Sequence, residues 1–313
     1  MRIVRVPKRV LAVGDVNMDL VFTGLDRLPS AEQETLAREM EILVGGQTGT
    51  VARTMSHLGW AVSFVGRVGN DDYGRTALRT LAEAGVDTSG VVVDPAGRTG
   101  ATVVLSTGVE RAYATFAGTA AQVRRADVTP EQLAGARHLH VGSYYLQKAL
   151  RPDLPGLFRE ARRLGLTTSL DPGWDPEQEW GAEIRELLSE VDLFLPNAVE
   201  AAAITATRTP EQALTALAAG AGTVVIKMGS AGSIARGGGR TLRCPAFRVQ
   251  VVDVTSAGDV FDAGCLHGWL SGWDLAETLR FASACGALAV ARTGSRGIIT
   301  GSEQVREFLG GQR

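Results

Sequence analysis

The stretch VVDVTSAGDVFDAG, Val251–Gly264, places the carboxylate of Asp259 directly after three small residues and before a nearly all-apolar segment. Val249–Val252 predicts a strand, and the residues from Val260 onward predict a buried helix. Small residues at a strand-to-helix junction let the backbone approach a ligand, and the first helical turn favours an anion. The stretch therefore predicts a phosphate site with Asp259 as a proton acceptor. The alternative is that Asp259 only complements the helix dipole, an effect of about 0.3–1 kcal/mol.

Short apolar, β-branched runs alternate with helix-like segments along the rest of the chain. This alternation is typical of βα units around a parallel sheet. Two segments, 154–164 and 209–220, predict surface helices, the second with Thr209 as N-cap and Pro210 at the first helical position. The predicted buried strands are Val10–Val13, Val62–Val65, Leu139–Val141, Thr167–Leu170, Leu193–Leu195 and Thr223–Met228.

Ala101–Phe116 breaks this pattern, because it predicts two strands joined by a turn near Gly108. Together with Asp19–Gly24 and Thr35–Val44 it predicts a small sheet that projects from the main body. Linkers and internal repeats are missing from the sequence. We therefore expect one α/β domain over residues 1–313 that carries a minor β element.

The composition, 45% hydrophobic and 21% charged residues in 313, is that of a globular protein. The net charge is −2 and the basic residues are scattered, so a nucleic-acid partner is not expected. Apolar runs fall short of the roughly 20 residues of a membrane helix, and the start has no signal-peptide core. We expect a cytoplasmic protein without a membrane partner, whose three cysteines are reduced and structural.

The stretch DVTSAGDVFDAG also resembles the C-terminal signature DTxGAGDxFxxG of the ribokinase-like, or PfkB, carbohydrate kinase family. The segment GGQTGTVARTMSHLG, Gly45–Gly59, resembles the N-terminal signature GGxxxNxAxxxxxLG. Further similar pieces lie at 14–19, 65–74, 196–200 and 227–233. The resemblance implies a ribokinase-like three-layer α/β/α sandwich with a mainly parallel central sheet. It also implies a β-sheet lid, from about 17–44 and 98–118, that closes over the sugar and pairs in a homodimer.

The resemblance implies transfer of the ATP γ-phosphate to a hydroxymethyl group of a sugar or sugar acid. Asp259 would be the general base, and the backbone amides of Ser256, Ala257 and Gly258 would form the anion hole. Ser256 stands where the family usually has glycine. We expect this small side chain to be accommodated with a negative φ.

The family's substrate positions leave ribose, fructose and 2-keto-3-deoxygluconate open as substrates. Thr50 replaces the asparagine of the N-terminal signature, and Gln47 stands where ribokinases often carry lysine. Asp171–Trp180, DPGWDPEQEW, is more similar to sugar-acid and fructose kinases than to nucleoside kinases, but departs from them at Gly173. The substrate-binding residues that the resemblance implies are Asn17, Asp19, Gly45, Gly46, Gln47, Thr50 and Thr99.

The resemblance implies ATP and Mg²⁺, with Glu200 organising the magnesium through water. Asp253, beside Thr255, matches a loop that binds a monovalent cation such as potassium. Ile298 stands where potassium-activated members tend to place a serine, which argues against that cation. The nucleotide-binding residues implied are Asn197, Lys227, Gly229, Gly232 and Thr255, although a lysine at a strand end is usually only solvated.

Three other functions stay open from the residues. A nucleoside or pseudouridine kinase would share the fold, and a noncatalytic sugar-binding sensor would have no need of Asp259. An NAD-dependent Rossmann oxidoreductase would need GxGxxG after the first strand, where the chain has GDVNMD. The four histidines match no metal-ligand spacing and are expected to be structural: His57, His138, His140 and His267.

Overall fold

The computed structural model describes residues 9–292 and 298–311, which contain fourteen strands and ten α-helices. The strands are β1 (Arg9–Val13), β2 (Asn17–Thr23), β3 (Glu39–Gly45), β4 (Ala61–Val65), β5 (Arg67–Gly69), β6 (Val92–Asp94), β7 (Gly100–Ser106), β8 (Arg111–Phe116), β9 (His138–Val141), β10 (Thr167–Leu170), β11 (Leu193–Phe194), β12 (Thr223–Lys227), β13 (Ser233–Gly237) and β14 (Arg240–Cys244). The helices are α1 (Gln47–His57), α2 (Asp72–Glu83), α3 (Pro130–Ala134), α4 (Leu154–Arg163), α5 (Glu183–Leu187), α6 (Ala198–Thr205), α7 (Pro210–Leu217), α8 (Ala257–Leu270), α9 (Leu275–Val290) and α10 (Ser302–Gly311).

The central sheet has eight strands in the order β14-β13-β12-β11-β10-β9-β1-β4. Neighbours from β12 through β4 are parallel, whereas β13 and β14 continue the sheet as antiparallel strands. All six predicted buried strands lie in this sheet, with ends that differ from the prediction by one residue at most. The prediction of a mainly parallel sheet is therefore confirmed.

Helices cover both faces of the central sheet. Strand β1 shows this, since its successive residues belong to two different hydrophobic clusters. Val10 and Ala12 pack in the cluster that includes residues of α1, α2, α8 and α9. Leu11 and Val13 pack in the cluster that includes residues of α3 to α7. Side chains of a strand alternate between faces, so a strand covered on both sides is apolar throughout. This confirms the three-layer α/β/α arrangement.

A separate four-stranded sheet, in the order β3-β2-β7-β8, forms the lid. The pair β2–β7 is parallel, and β2–β3 and β7–β8 are antiparallel. The predicted hairpin is confirmed, with Gly108 in its turn at φ 87°. The lid strand β3 begins at Glu39 and not at the predicted Thr35. A two-stranded parallel sheet, β5-β6, completes the strands.

The predicted strand Val249–Val252 is wrong. These residues adopt no strand, and the side chains of Val251 and Val252 are exposed. The N–H of Val252 donates to the carbonyl oxygen of Val290 at the end of α9, so the segment lies against a helix terminus with no strand to pair with. β-branched residues favour a strand only where a neighbouring strand supplies the ladder. The buried helix after it, α8, is confirmed.

Within the described residues, no helix combines the length and the hydropathy needed to cross a membrane.

Candidate active site

A cavity of about 290 Å³ lies between the carboxyl ends of the central parallel strands and the lid. Ligands of open α/β sheets commonly bind at this edge. Residues that follow β1, β9 and β10 form one side, lid residues form another, and the first turn of α8 contributes Asp259. The polar lining residues from these three sources include Asp15, Asn17, Asp19, Gln47, Thr102, Thr115, Ser143, Thr255, Ser256 and Asp259.

Asn17 and Asp19 extend from the same face of β2, because they are two residues apart in a strand. The Asn17 Nδ2 donates to Asp19 Oδ1 at 3.1 Å and to Thr102 Oγ1 at 2.9 Å. The Asn17 Oδ1 is buried without a hydrogen-bond partner, although buried polar atoms are normally paired. Burial, with Asp15 adding to it, raises the pKa of Asp19 to about 7. The pair can therefore both accept hydrogen bonds from a ligand and donate to it.

The two glycines of the N-terminal signature are required by these contacts. A Cβ on Gly45 would lie 2.1 Å from the Oδ2 of Asp19, so only glycine leaves room for that carboxylate. Gly46 has φ 87° and immediately precedes α1, a conformation that favours glycine. Both glycines lie beside Asn17 and Asp19.

Asp15 was not singled out from the sequence, yet it lines the cavity and caps α1. Its carboxylate accepts hydrogen bonds from the N–H of Gln47 at 3.0 Å and of Thr48 at 3.1 Å, and from the Thr48 hydroxyl at 2.9 Å. The available signal was its position after a buried strand, at the edge of the sheet where ligands bind. Gln47 also lines the cavity, and its Oε1 accepts from the backbone N–H of Ser143.

Two residues predicted to bind substrate, Thr50 and Thr99, are buried and lie outside the cavity lining. Thr50 sits inside α1, and its hydroxyl has no hydrogen-bond partner. The Thr99 hydroxyl donates to Asp71 Oδ1 at 2.6 Å and accepts from the N–H of Gly69 at 2.9 Å, which ties the start of β7 to α2. Four of the other predicted substrate residues line the cavity, namely Asn17, Asp19, Gly46 and Gln47, and Gly45 lies against the Asp19 carboxylate.

The expected negative φ of Ser256 is wrong. Ser256 has φ 60° and ψ 1°, a left-handed conformation, and directly precedes α8. The chain needs this turn to pass from the segment before Thr255 into the helix, and that is why glycine suits the position. The N–H of Ala257 donates to Val254 O at 3.3 Å, so a phosphate would share this amide with the turn. Gly258 follows in the first turn of α8.

Asp259 projects from that first turn into the cavity. Burial raises the pKa of Asp259 well above its usual range. The ammonium of Lys227 opposes this shift, whereas the carboxylates of Asp171, Asp15 and Asp19 add to it. A carboxylate with a raised pKa is a stronger base than an ordinary aspartate, which suits it to accept a proton.

Asp253 fixes the turn that leads into α8. Its Oδ1 accepts from the N–H of Thr255 at 2.9 Å and from the Thr255 hydroxyl at 2.8 Å. The guanidinium of Arg111, at the start of lid strand β8, lies 3.5 Å from the same oxygen. A monovalent cation on Asp253 would therefore share this carboxylate with Arg111. The side chain of Ile298, the other residue considered for this cation, is apolar and buried.

Asn197 and Glu200 cap the N-terminus of α6 reciprocally. The Asn197 Oδ1 accepts from the N–H groups of Val199 and Glu200, each at 2.9 Å, and the Glu200 Oε2 accepts from the N–H of Asn197 at 2.8 Å. Burial raises the pKa of Glu200 to about 7. The described residues include no group of three or more acidic, histidine or cysteine side chains that could hold a metal. The structure itself accounts for both residues as the cap of this helix.

Gly229 and Gly232 both have positive φ, 58° and 86°. A Cβ on Gly232 would lie 2.0 Å from the carbonyl oxygen of Cys244, so the contact of this turn with the end of β14 requires glycine. This packing role accounts for Gly232 without a ligand.

Lys227 is not solvated, contrary to the usual expectation for a strand end. Its Nζ lies 2.7 Å from Asp171 Oδ2 and 2.7 Å from Asp262 Oδ2, and both carboxylates are buried. Sequence reasoning missed Asp171 and Asp262 as functional residues. The signal was Asp262 itself, a charge in a nearly all-apolar helix that a folded protein must pair.

The structural interpretation of the histidines and cysteines agrees with the structure. His138 and His140 are buried in β9 and contact the hydroxyl of Ser169 at 2.7 and 2.8 Å. Burial lowers the pKa of His140 to about 4, so this ring is neutral at physiological pH. Cys244, Cys265 and Cys285 are free thiols.

The class of the protein follows from its comparison with known proteins, and it is a kinase of small molecules. A model of the pfkB family carbohydrate kinases matches residues 7–300, and the chain belongs to this family. It is therefore an ATP-dependent carbohydrate kinase.

Relatives with known names act on different sugars. An ATP-dependent ribose-1-phosphate kinase of Halopiger xanaduensis is 33% identical over 96% of this chain and 98% of its own length. A 2-dehydro-3-deoxygluconokinase of Bacillus subtilis is 28% identical over 86% and 87%. A solved fructokinase double mutant of Vibrio cholerae O395, bound to fructose, ADP and potassium ion, has a TM-score of 0.79 at 25% identity and covers 96% of this chain and 98% of that one.

Proposed function

We propose that the protein transfers the γ-phosphate of ATP to a hydroxymethyl group of a sugar, with Asp259 as the general base. The observation that carries the proposal is the position of Asp259 in the cavity, opposite the polar pair Asn17 and Asp19 and beside the N-terminus of α8. A base, a hydroxyl-binding pair and an anion site thus face one small space. Phosphoryl transfer needs these three parts in this arrangement.

In the proposed mechanism, Asn17 and Asp19 hold the sugar hydroxyls through the open Asn17 Oδ1 and the Asp19 carboxyl. Asp259 accepts the proton of the attacking hydroxyl. The amides of Ser256, Ala257 and Gly258 stabilise the negative charge on the transferred phosphoryl oxygens, together with the dipole of α8. Mg²⁺ would offset the negative charge of the phosphates when it is bound with ATP. Asn197 and Glu200 would hold the water ligands of this ion. Gly229, Gly232 and Thr255 belong to the proposed nucleotide side.

The charge of the cavity supports a neutral acceptor such as ribose or fructose. Asp15, Asp19 and Asp259 all line it, and none of its lining residues in the described part of the chain is a lysine or arginine. Carboxylates repel the carboxylate of 2-keto-3-deoxygluconate, and equally the phosphate of ribose 1-phosphate. Turnover of a panel of neutral sugars, sugar acids and sugar phosphates tests this, and preferred turnover of an acidic sugar would contradict it.

A nucleoside kinase is the second candidate, because two exposed aromatic residues line the same cavity. Trp174 is 52% exposed and Phe116 57%, so both rings offer a face on which a base could stack. Uridine, pseudouridine and adenosine therefore belong in the panel. Turnover of a nucleoside at a lower KM than any free sugar would favour this candidate.

Two accompanying proposals concern association and cations. The lid carries exposed apolar side chains, Met40 and Ile42 among them, which supports a homodimer through the lid. Potassium would bind beside Asp253 and Thr255. Replacing potassium by tetramethylammonium in the assay tests the cation, since activity that does not change would contradict it.

The base is tested with Asp259→Asn. The amide keeps the shape of the side chain but cannot accept the proton, so kcat should fall by about 10²–10⁴-fold. Calorimetry should show that sugar and ATP still bind. The matched control is Asp72→Asn, an exposed acid in the first turn of α2, which should leave kcat unchanged. Near-normal turnover by Asp259→Asn would refute the mechanism.

A further inference from the structure

A buried cluster of charges joins three elements behind the proposed anion hole. Lys227 ends β12, Asp171 follows β10, and Asp262 lies in α8, one turn after Asp259. The Lys227 ammonium contacts one oxygen of each carboxylate at 2.7 Å. The side chains of both acids are 0% exposed and that of Lys227 is 12% exposed. This buried bridge ties the start of α8 to the carboxyl edge of the central sheet.

The pKa values of the two acids in the cluster are shifted in opposite directions. Burial would raise the pKa of Asp171, but Lys227, Asp262 and the N–H of Gly173 outweigh it and lower that pKa. Burial raises the pKa of Asp262 well above its usual range, although the ammonium of Lys227 opposes this shift. Asp171, Asp262 and Glu200 raise the pKa of Lys227 in spite of burial. Lys227 is therefore a permanent cation, and Asp171 is its ionised partner.

This cation lies close to the proposed base. A Cβ placed on Gly258 would be 3.8 Å from the Lys227 Nζ, so the ammonium sits directly behind the anion hole. The other charged groups that act on Asp259 are carboxylates: Asp171 from the end of β10, Asp15 after β1, and Asp19 from the lid. His140, the other basic group beside Asp171 and Lys227, is neutral at physiological pH. The positive charge of Lys227 thus lowers the pKa of Asp259, whereas these three acids raise it.

We propose that Lys227 is a positioning residue that holds the start of α8 in place and supplies positive charge close to Asp259, and that it does not contact the nucleotide. The proposal rests on the proposed function, because it takes Asp259 as the base. The geometry supports it, since the ammonium is already held by two buried carboxylates and does not line the cavity. Because this positive charge lowers the pKa of Asp259, removing it should make Asp259 bind its proton more tightly.

The test is the pH dependence of kcat in Lys227→Met. Without the ammonium Asp259 binds its proton more tightly, so the acidic limb of the profile should move to higher pH by on the order of one unit. This is roughly a tenfold loss of kcat at a fixed pH below the limb. The KM and the calorimetric Kd for ATP should stay within about twofold. A limb that does not move, together with a raised Kd for ATP, would instead make Lys227 a nucleotide ligand.

A second variant protects the test against misfolding. Lys227→Met leaves Asp171 buried and unpaired, which is strongly destabilising. The double variant Lys227→Met/Asp171→Asn removes both charges, so it should fold. Lys227 acts on Asp259 more strongly than Asp171 does, so the limb should still move to higher pH, but by less than in the single variant. An unmoved limb in the double variant overturns the proposal.

Two further variants separate this inference from the proposed function. Lys227→Arg keeps the charge and should restore the position of the limb. Asp259→Asn tests the base itself: if it keeps normal turnover, the proposed function fails. If Asp259→Asn is inactive while the double variant has a wild-type profile, only the role of Lys227 fails.

Discussion

Ser256 shows what a family motif does and does not reveal about a single residue. The sequence identifies the position, because the small residues and Asp259 around it match a specific signature. It does not show the backbone angle, and the structure has φ 60° where a negative value was expected. A left-handed conformation costs a non-glycine residue roughly 1–2 kcal/mol. Ser256 therefore stores local strain next to the anion hole.

Ser256→Gly should relieve this strain. The greater freedom of glycine in the unfolded chain offsets part of the gain, so we expect the free energy of unfolding to rise by up to about 1 kcal/mol. The kcat should stay within about threefold, because the proposed donors are backbone N–H groups. Chemical denaturation and steady-state kinetics measure the two quantities. The control is Ser271→Gly at the other end of α8, where φ is −80° and no gain is expected. A Ser256→Gly variant less stable than the wild type would contradict the assignment of strain.

Residue types and spacing predicted several polar residues that line the cavity, but neither Asp15 nor the bridge at Lys227. Asn17, Asp19 and Asp259 could be named because each lies within a short motif. The lysine is 56 positions from Asp171 and 35 from Asp262, so only the order of strands in the sheet brings the three together. For the same reason Thr50, which matches a motif, could not be recognised as buried inside α1 and away from the cavity.

At the scale of elements, an ion pair joins the lid to the loop before α8. Arg111 begins β8, and its guanidinium lies 3.5 Å from Asp253 Oδ1, with side chains 18% and 7% exposed. The sequence predicted the hairpin from its turn and β-branched residues. It could not predict this contact, because a hairpin's local pattern says nothing about the element it will cover. The ion pair links lid position to the turn that builds the anion hole.

Arg111→Ala should loosen the lid. A lid that closes less well holds the acceptor weakly and admits water, so we expect a two- to tenfold higher acceptor KM and more ATP hydrolysis without acceptor. Coupled assays with and without sugar measure both. Arg38→Ala is the matched control. Arg38 is also a lid arginine, but its ion pair with Asp26 is exposed on both sides and should contribute little. Unchanged KM and unchanged hydrolysis in Arg111→Ala would show that the ion pair has no part in closure.

At the scale of the whole molecule, the sequence predicted the three layers correctly but predicted a strand at Val249–Val252, where the structure has none. Runs such as Val10–Val13 are apolar throughout because both faces of the sheet are covered, and that pattern is visible without a structure. Val249–Val252 is nearly as apolar but has no neighbouring strand. Burial on both sides can be read from a sequence, whereas the presence of a pairing partner depends on topology.

The lid also predicts how two copies associate. Met40 and Ile42 lie on the same face of β3 and are 52% and 48% exposed, an unusual exposure for adjacent apolar side chains of one strand face. If two lids pack through this face, the double variant Met40→Glu/Ile42→Glu places four carboxylates in one interface and should dissociate it. Light scattering after size exclusion should give twice the chain mass of 33.0 kDa for the wild type and one chain mass for the variant. Val93→Glu, at an exposed apolar position of β6 outside the lid, should remain dimeric. A wild-type protein that is monomeric at micromolar concentration, or a variant that stays dimeric, would exclude association through this face.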